Sequence, residues 1–138
     1  MKRFTMIAKI VALVCVTLVF SVSQIAYSIT ETKQIGESEN AQTVPVARGT
    51  ILVIRLQGNI TTGYSWGVTS VSGQSLIQLG KVDYVSDPGM GVGRGGTFTV
   101  RFQAAESGAA TIKMEYARPW EHGKPAVKTF TVNVKVAK

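Results

Sequence analysis

Gly91 to Gln103 reads GVGRGGTFTVRFQ, and the choice between two very different folds turns on where its glycines lead. The spacing G-x-G-x-x-G matches a loop that cradles a dinucleotide pyrophosphate. That loop works only where a strand ends, the glycines turn, and a helix begins whose N-terminus receives the phosphates. Here Phe98, Val100 and Phe102 alternate with Thr97, Thr99, Arg101 and Gln103. Alternation at period two is a strand with one face to a core and one to water. A strand stands where the helix would have to be, so the nucleotide reading fails and the glycines belong to a loop between strands.

The same alternation recurs outward from this stretch. Ile112, Met114 and Tyr116 alternate with Thr111, Lys113 and Glu115, and Phe130, Val132, Val134 and Val136 alternate with Thr131, Asn133 and Lys135. Upstream, Tyr64, Trp66 and Val68 share a face, and Leu76 to Val85 forms one strand, or two broken at Gly80. Ile51 to Gln57 (ILVIRLQ) is nearly continuous in apolar character, as a strand buried on both faces is. Glu106-Ser107-Gly108 is a turn. Six or seven short strands without a helical period predict an all-β, immunoglobulin-like β-sandwich of about seven strands.

The chain has 138 residues, enough for one such domain. Its start has the form of a signal peptide over residues 1–28: basic Lys2, Arg3 and Lys9, an apolar run from Ile10 to Phe20, and the small pair Ala26 and Ser28. A retained anchor is the alternative, although Thr17, Ser21, Ser23 and Gln24 leave the run short of the ~20 apolar residues of a span. Signal cleavage predicts a secreted or periplasmic protein, or a vesicular or lysosomal one in a protist, with no stable membrane association afterwards. Residues 29–42, polar and without periodicity, read as a flexible leader, which puts the folded domain at 43–138.

Composition narrows the chemistry. The single cysteine, Cys15, lies in the signal segment, so the domain carries no disulfide and relies on its core. Three of the 15 Lys and Arg but none of the 8 acids lie in residues 1–28, so the net charge falls from +7 to +4. The basic residues are scattered and not interleaved with aromatics, which argues against nucleic acid as a partner. His122 is the only histidine. A triad would have to be assembled from it, Asp83 or Asp87, and a serine without any nucleophile signature, and one histidine with dispersed carboxylates gives no metal-ligand spacing. Neither an enzyme nor a cofactor is expected.

Three loops stand out. Gly58 to Gly63 (GNITTG) is either a plain turn or a surface whose threonines offer both hydroxyls and methyls to a partner. Asp87 to Gly96 (DPGMGVGRGG) is either a mobile connector or a bare backbone suited to lying against another surface. Arg118-Pro119-Trp120-Glu121 (RPWE) holds either a Trp folded over the core edge or an exposed anchor of the type enriched at interfaces.

Taken in order, these loops resemble the chagasin-type inhibitors of papain-like cysteine proteases. That family carries N-P-T-T-G followed by an aromatic and a Trp, then G-x-G-G, then R-P-W. This chain reads Asn59-Ile60-Thr61-Thr62-Gly63-Tyr64-Ser65-Trp66, then Gly93-Arg94-Gly95-Gly96, then Arg118-Pro119-Trp120. The resemblance spans about Thr43 to Val136. It implies that the three loops gather at one end of the sandwich as a reversible, competitive wedge without cofactor or metal. Thr61, Thr62 and Gly63 would then sit over the catalytic cysteine, with Asn59 and Ile60 of the same loop also binding the protease. Gly91, Gly93, Arg94, Gly95 and Gly96, with Arg118, Pro119 and Trp120, would hold the walls of a papain-like cleft, of the cathepsin L-like type. A monomer would suffice. Ile60 departs from the family proline, which frees φ and restores an N–H in the central loop. An exported adhesion or carbohydrate-binding module, contacting its ligand through Tyr64, Trp66 and Trp120, is the competing reading.

Overall fold

The computed structural model describes residues 29–89, 91 and 93–138. The segment read as a signal peptide, with Cys15, lies outside the described residues, as do Met90 and Val92. The alternating stretches fold as strands: β3 (Ile51–Gly58), β4 (Ser65–Ser72), β5 (Leu76–Ser86), β6 (Gly96–Ala104), β7 (Gly108–Ala117) and β8 (Lys128–Val136), preceded by β1 (Thr32–Ile35) and β2 (Thr43–Val46). They form two four-stranded sheets ordered β1-β3-β6-β5 and β2-β8-β7-β4. This is the expected all-β sandwich, with eight strands among the described residues in place of about seven. The apolar sets of β6, β7 and β8 turn inward together: Phe98, Val100, Phe102, Ile112, Met114, Phe130, Val132 and Val134 are all buried. Burial of this set from both sheets is the driving force of the fold.

The expectation of a flexible leader at 29–42 is corrected by β1. Thr32–Ile35 pairs in parallel with Ile51–Ile54, and Ile35 is buried in the core. The Ile51 N–H donates to the Glu31 carbonyl (2.8 Å), and beyond the strand the Gly36 N–H donates to the Glu39 carboxylate (2.7 Å). The folded unit thus includes residues ahead of Thr43. A four-residue edge strand with one core side chain has too little alternation to be seen in sequence, because its partner is contributed by the tertiary fold.

β3 also differs from its reading. Leu52, Ile54 and Leu56 face the core, but on the outer face only Val53 is covered and Arg55 is exposed. β1 and β6 flank this strand, and its outer face is only partly closed. Leu76–Ser86 is one strand, with its register interrupted between Leu79 and Asp83, where Gly80 takes a positive φ of 78°.

Register places the loops. Gly58 pairs with Gly96, and Gly96 with Ser86, so the β3–β4 and β5–β6 connections leave sheet one at the same end. Ser65 pairs with Ala117, which brings the β7–β8 connection beside them from the other sheet.

Candidate functional site

The first loop is built around Asn59. Ile60–Thr62 forms one 3₁₀ turn, capped by the Asn59 side chain, whose Oδ1 accepts from the Thr61 N–H (3.0 Å) and from Thr61 Oγ1 (2.6 Å). Asparagine suits this place because its short amide reaches the exposed donors of a turn that it begins. Thr62 Oγ1 donates to the Asn59 carbonyl (2.7 Å), and the Gly63 N–H to the Ile60 carbonyl (3.0 Å). Gly63 closes the turn with φ 81° and ψ −4°, a left-handed conformation that glycine adopts without steric cost.

Asn59, which orders this turn, and Arg118 from the third loop tie it to its neighbours. Asn59 Nδ2 donates to the Gly93 carbonyl in the second loop (2.8 Å), where Gly93 holds φ 85°. Arg118 Nε, from the third loop, donates to the Thr62 carbonyl (3.1 Å). Its guanidinium carbon lies 4.4 Å from the centre of the Tyr64 ring, and Nη1 pairs with Glu121 (3.4 Å). Glu121 also pairs with Lys124 (3.2 Å). The hydrogen bond from Lys124, reinforced by its charge and by Arg118, holds the Glu121 carboxyl below the usual glutamate range.

Trp120 is 63% exposed and lies over Gly63: a Cβ there would stand 2.5 Å from the indole Cη2. It is therefore exposed and seated on the first loop. Pro119 is exposed between Arg118 and Trp120, and the Glu121 N–H closes this turn on the Arg118 carbonyl (3.1 Å). In the second loop, Gly91, Gly93 and Arg94 are exposed, Gly95 is half-buried with the Asp87 N–H on its carbonyl (3.0 Å), and Gly96 is buried at the start of β6. Ile60, Thr61, Gly91, Gly93 and Arg94 line a shallow cleft of about 310 Å³ between the first two loops.

The residues singled out in sequence thus meet at one pole. Two exposed apolar residues there, Val85 near the end of β5 and Val127 just ahead of β8, escaped sequence reading, because neither valine shows its outward direction until the fold is known. Trp66 is 4% exposed and donates from Nε1 to the Gln57 carbonyl (3.0 Å), so it belongs to the core and offers no platform to a ligand. His122 is exposed in the third loop, while Asp83 pairs with Arg101 (3.2 Å) on the other sheet.

Fold and site together define a β-sandwich that presents a braced edge of three loops to a partner. A model of the chagasin family peptidase inhibitors, I42, matches residues 45–134. Amoebiasin-1 of Entamoeba histolytica is 38% identical over 103 residues, covering 72% of this chain and 95% of its own length. The solution structure of amebosin superposes with a TM-score of 0.61 at 36% identity, over 78% of this chain and 98% of that one. The crystal structure of a cysteine protease inhibitor from Entamoeba histolytica agrees in fold, with a TM-score of 0.67 at 22% identity over 79% and 98%. The chain belongs to the chagasin family of peptidase inhibitors.

Proposed function

We propose that this protein is a reversible, competitive inhibitor of papain-like cysteine proteases that seats its three-loop pole in the active-site cleft. The observation that carries this reading is the bonding of three separate strand connections into one edge, through Asn59 to Gly93 and Arg118 to Thr62. A partner meeting this edge finds loops already ordered, which removes much of the entropy cost of binding. Exposed Ile60 and Trp120 supply apolar area. The bare second loop suits edge-on pairing with the main chain of a cleft.

Resistance to cleavage follows from the same geometry. Hydrolysis needs a carbonyl free to enter an oxyanion hole. The Ile60 carbonyl is held by the Gly63 N–H and the Thr62 carbonyl by Arg118. With these two carbonyls occupied, the peptide bonds after Ile60 and Thr62 make poor substrates for the nucleophile.

A cathepsin L-type enzyme is the target we favour, on the family resemblance of the loops. Each copy carries a complete edge, so a monomer suffices. The basic, apolar and small-residue pattern of residues 1–28 supports export to the medium or periplasm, or delivery to a protist vesicle. The adhesion-module reading loses its support, since Trp66 is buried and Trp120 lies at the loop pole.

The test is steady-state inhibition of papain and a cathepsin L-type protease by residues 29–138, with recovery on dilution and a Trp120→Ala partner. Competitive inhibition in the nanomolar range that recovers on dilution, and weakens about thirtyfold without the indole, is expected. A folded protein that fails to inhibit at micromolar concentration overturns the proposal.

A further inference from the structure

The inhibitory turn is fastened from below by a side chain that belongs to none of the three loops. Tyr116, near the end of β7, is 7% exposed. Its phenol oxygen accepts from the Asn59 N–H (2.7 Å) and donates to the Asn59 carbonyl (3.1 Å). One hydroxyl thus satisfies both backbone polar groups of the residue that begins the turn. The ring is fixed in turn by Tyr64 (centroids 5.5 Å apart), Trp66 (5.4 Å) and Phe98 (6.2 Å, edge-on). Gly58 gives it room, because a Cβ at that position would lie 2.9 Å from the Tyr116 ring and 2.7 Å from that of Phe98.

We propose that Tyr116 is a positioning residue for inhibition, holding the Asn59 backbone so that the Ile60–Thr62 turn is already in its binding conformation before a protease arrives. The inference rests on the inhibitor reading above. Two residues further along the chain, Arg118 holds the other end of the turn through the Thr62 carbonyl. The end of β7 and the loop that follows it therefore pin the turn at both ends, Tyr116 from the core and Arg118 from the surface. Without the hydroxyl, the part-buried Asn59 N–H would lose its partner and the Asn59 carbonyl would keep only Thr62 Oγ1, so the turn would relax toward water to satisfy them. Each binding event would then have to restore its order.

The decisive variant is Tyr116→Phe, which keeps the ring packing and removes only the hydroxyl. It is compared with Val134→Ala, which opens a cavity in the core away from the loops. Two readouts separate the possibilities: the inhibition constant of fully folded protein, and amide hydrogen exchange at Thr61 and Gly63. Tyr116→Phe is expected to weaken inhibition about tenfold and to speed exchange at both amides. Val134→Ala should lower the unfolding midpoint with the inhibition constant unmoved. Adding Ile60→Pro to Tyr116→Phe should recover part of the loss by presetting φ. Unchanged exchange at Thr61 and Gly63 in folded Tyr116→Phe overturns the positioning role, whether or not the parent inhibits. An inhibition constant within twofold of an inhibiting parent overturns it as well. A parent that does not inhibit, with faster exchange in the variant, overturns the inhibitor reading and leaves Tyr116 as the fastening of the turn.

Discussion

At the scale of single residues, Ile60 and Gly63 show how much of the wedge is a backbone problem. Ile60 occupies the first position of a 3₁₀ turn, where a turn makes no use of the N–H, and Asn59 before it is extended at φ −134° and ψ 105°. Proline tolerates both conditions. Ile60→Pro should inhibit equally well or up to about fivefold better, since it lowers the entropy of the free loop by up to ~1 kcal/mol; a clear loss in a steady-state assay would mean that the bound turn follows another path. Gly63→Ala is the opposite case. Its φ of 81° strains any side chain, and a Cβ would strike the Trp120 indole. We expect inhibition to weaken more than about tenfold, read in the same assay, because the first and third loops can no longer lie together. The identities of these residues were plain in sequence. That Trp120 rests on Gly63, and that Asn59 reaches Gly93, was not, because those partners are far apart along the chain.

At the scale of elements, two parts of the molecule have testable behaviour. β1 contributes Ile35 to the core, so Ile35→Ala should destabilise the protein by about 2 kcal/mol. Urea unfolding would show it as a lower midpoint with an unchanged slope, whereas a flexible leader would show no effect. The third loop is held by Glu121 between Lys124 and Arg118. Because the folded state depresses the Glu121 pKa, the stabilisation is complete above the unfolded value and fades as pH falls through the lower folded one. Carboxyl chemical shifts followed by NMR should place the Glu121 midpoint below that of an ordinary glutamate, with the loop's ion pairs intact at ~pH 5. The long strands β6, β7 and β8 were legible because alternation over six or more residues is hard to mistake. β1 and β2, four residues each, carry too few core side chains to announce themselves, and each is held by parallel pairing with a strand that the fold supplies.

At the scale of the whole molecule, part of the core lies well away from the loop pole. Phe102 is fully buried and pairs with Leu52, six residues along β6 from Gly96 and so roughly 20 Å from the loop pole. Phe102→Ala should cost about 3–5 kcal/mol in thermal or denaturant unfolding, a large part of the stability of a single domain. The molecules that remain folded should inhibit as the parent does. A coupled loss of affinity at temperatures where the variant is folded would show that core packing is transmitted to the loops.

Period-two alternation in β6, β7 and β8 made the class of fold readable from the chain, and the order and composition of Asn59 to Gly63, Gly93 to Gly96 and Arg118 to Trp120 marked out the three candidate loops. Both are local properties, written in neighbouring residues. The tertiary structure alone decided that the polar run before Thr43 supplies a strand, that Trp66 is core while Trp120 is surface, and that Val85 and Val127 join the exposed pole. It also decided that Tyr116 and Arg118 fasten one turn from two sides. Each of these depends on pairing between residues tens of positions apart, and such pairing exists only once two sheets have packed and brought their loops to a common end.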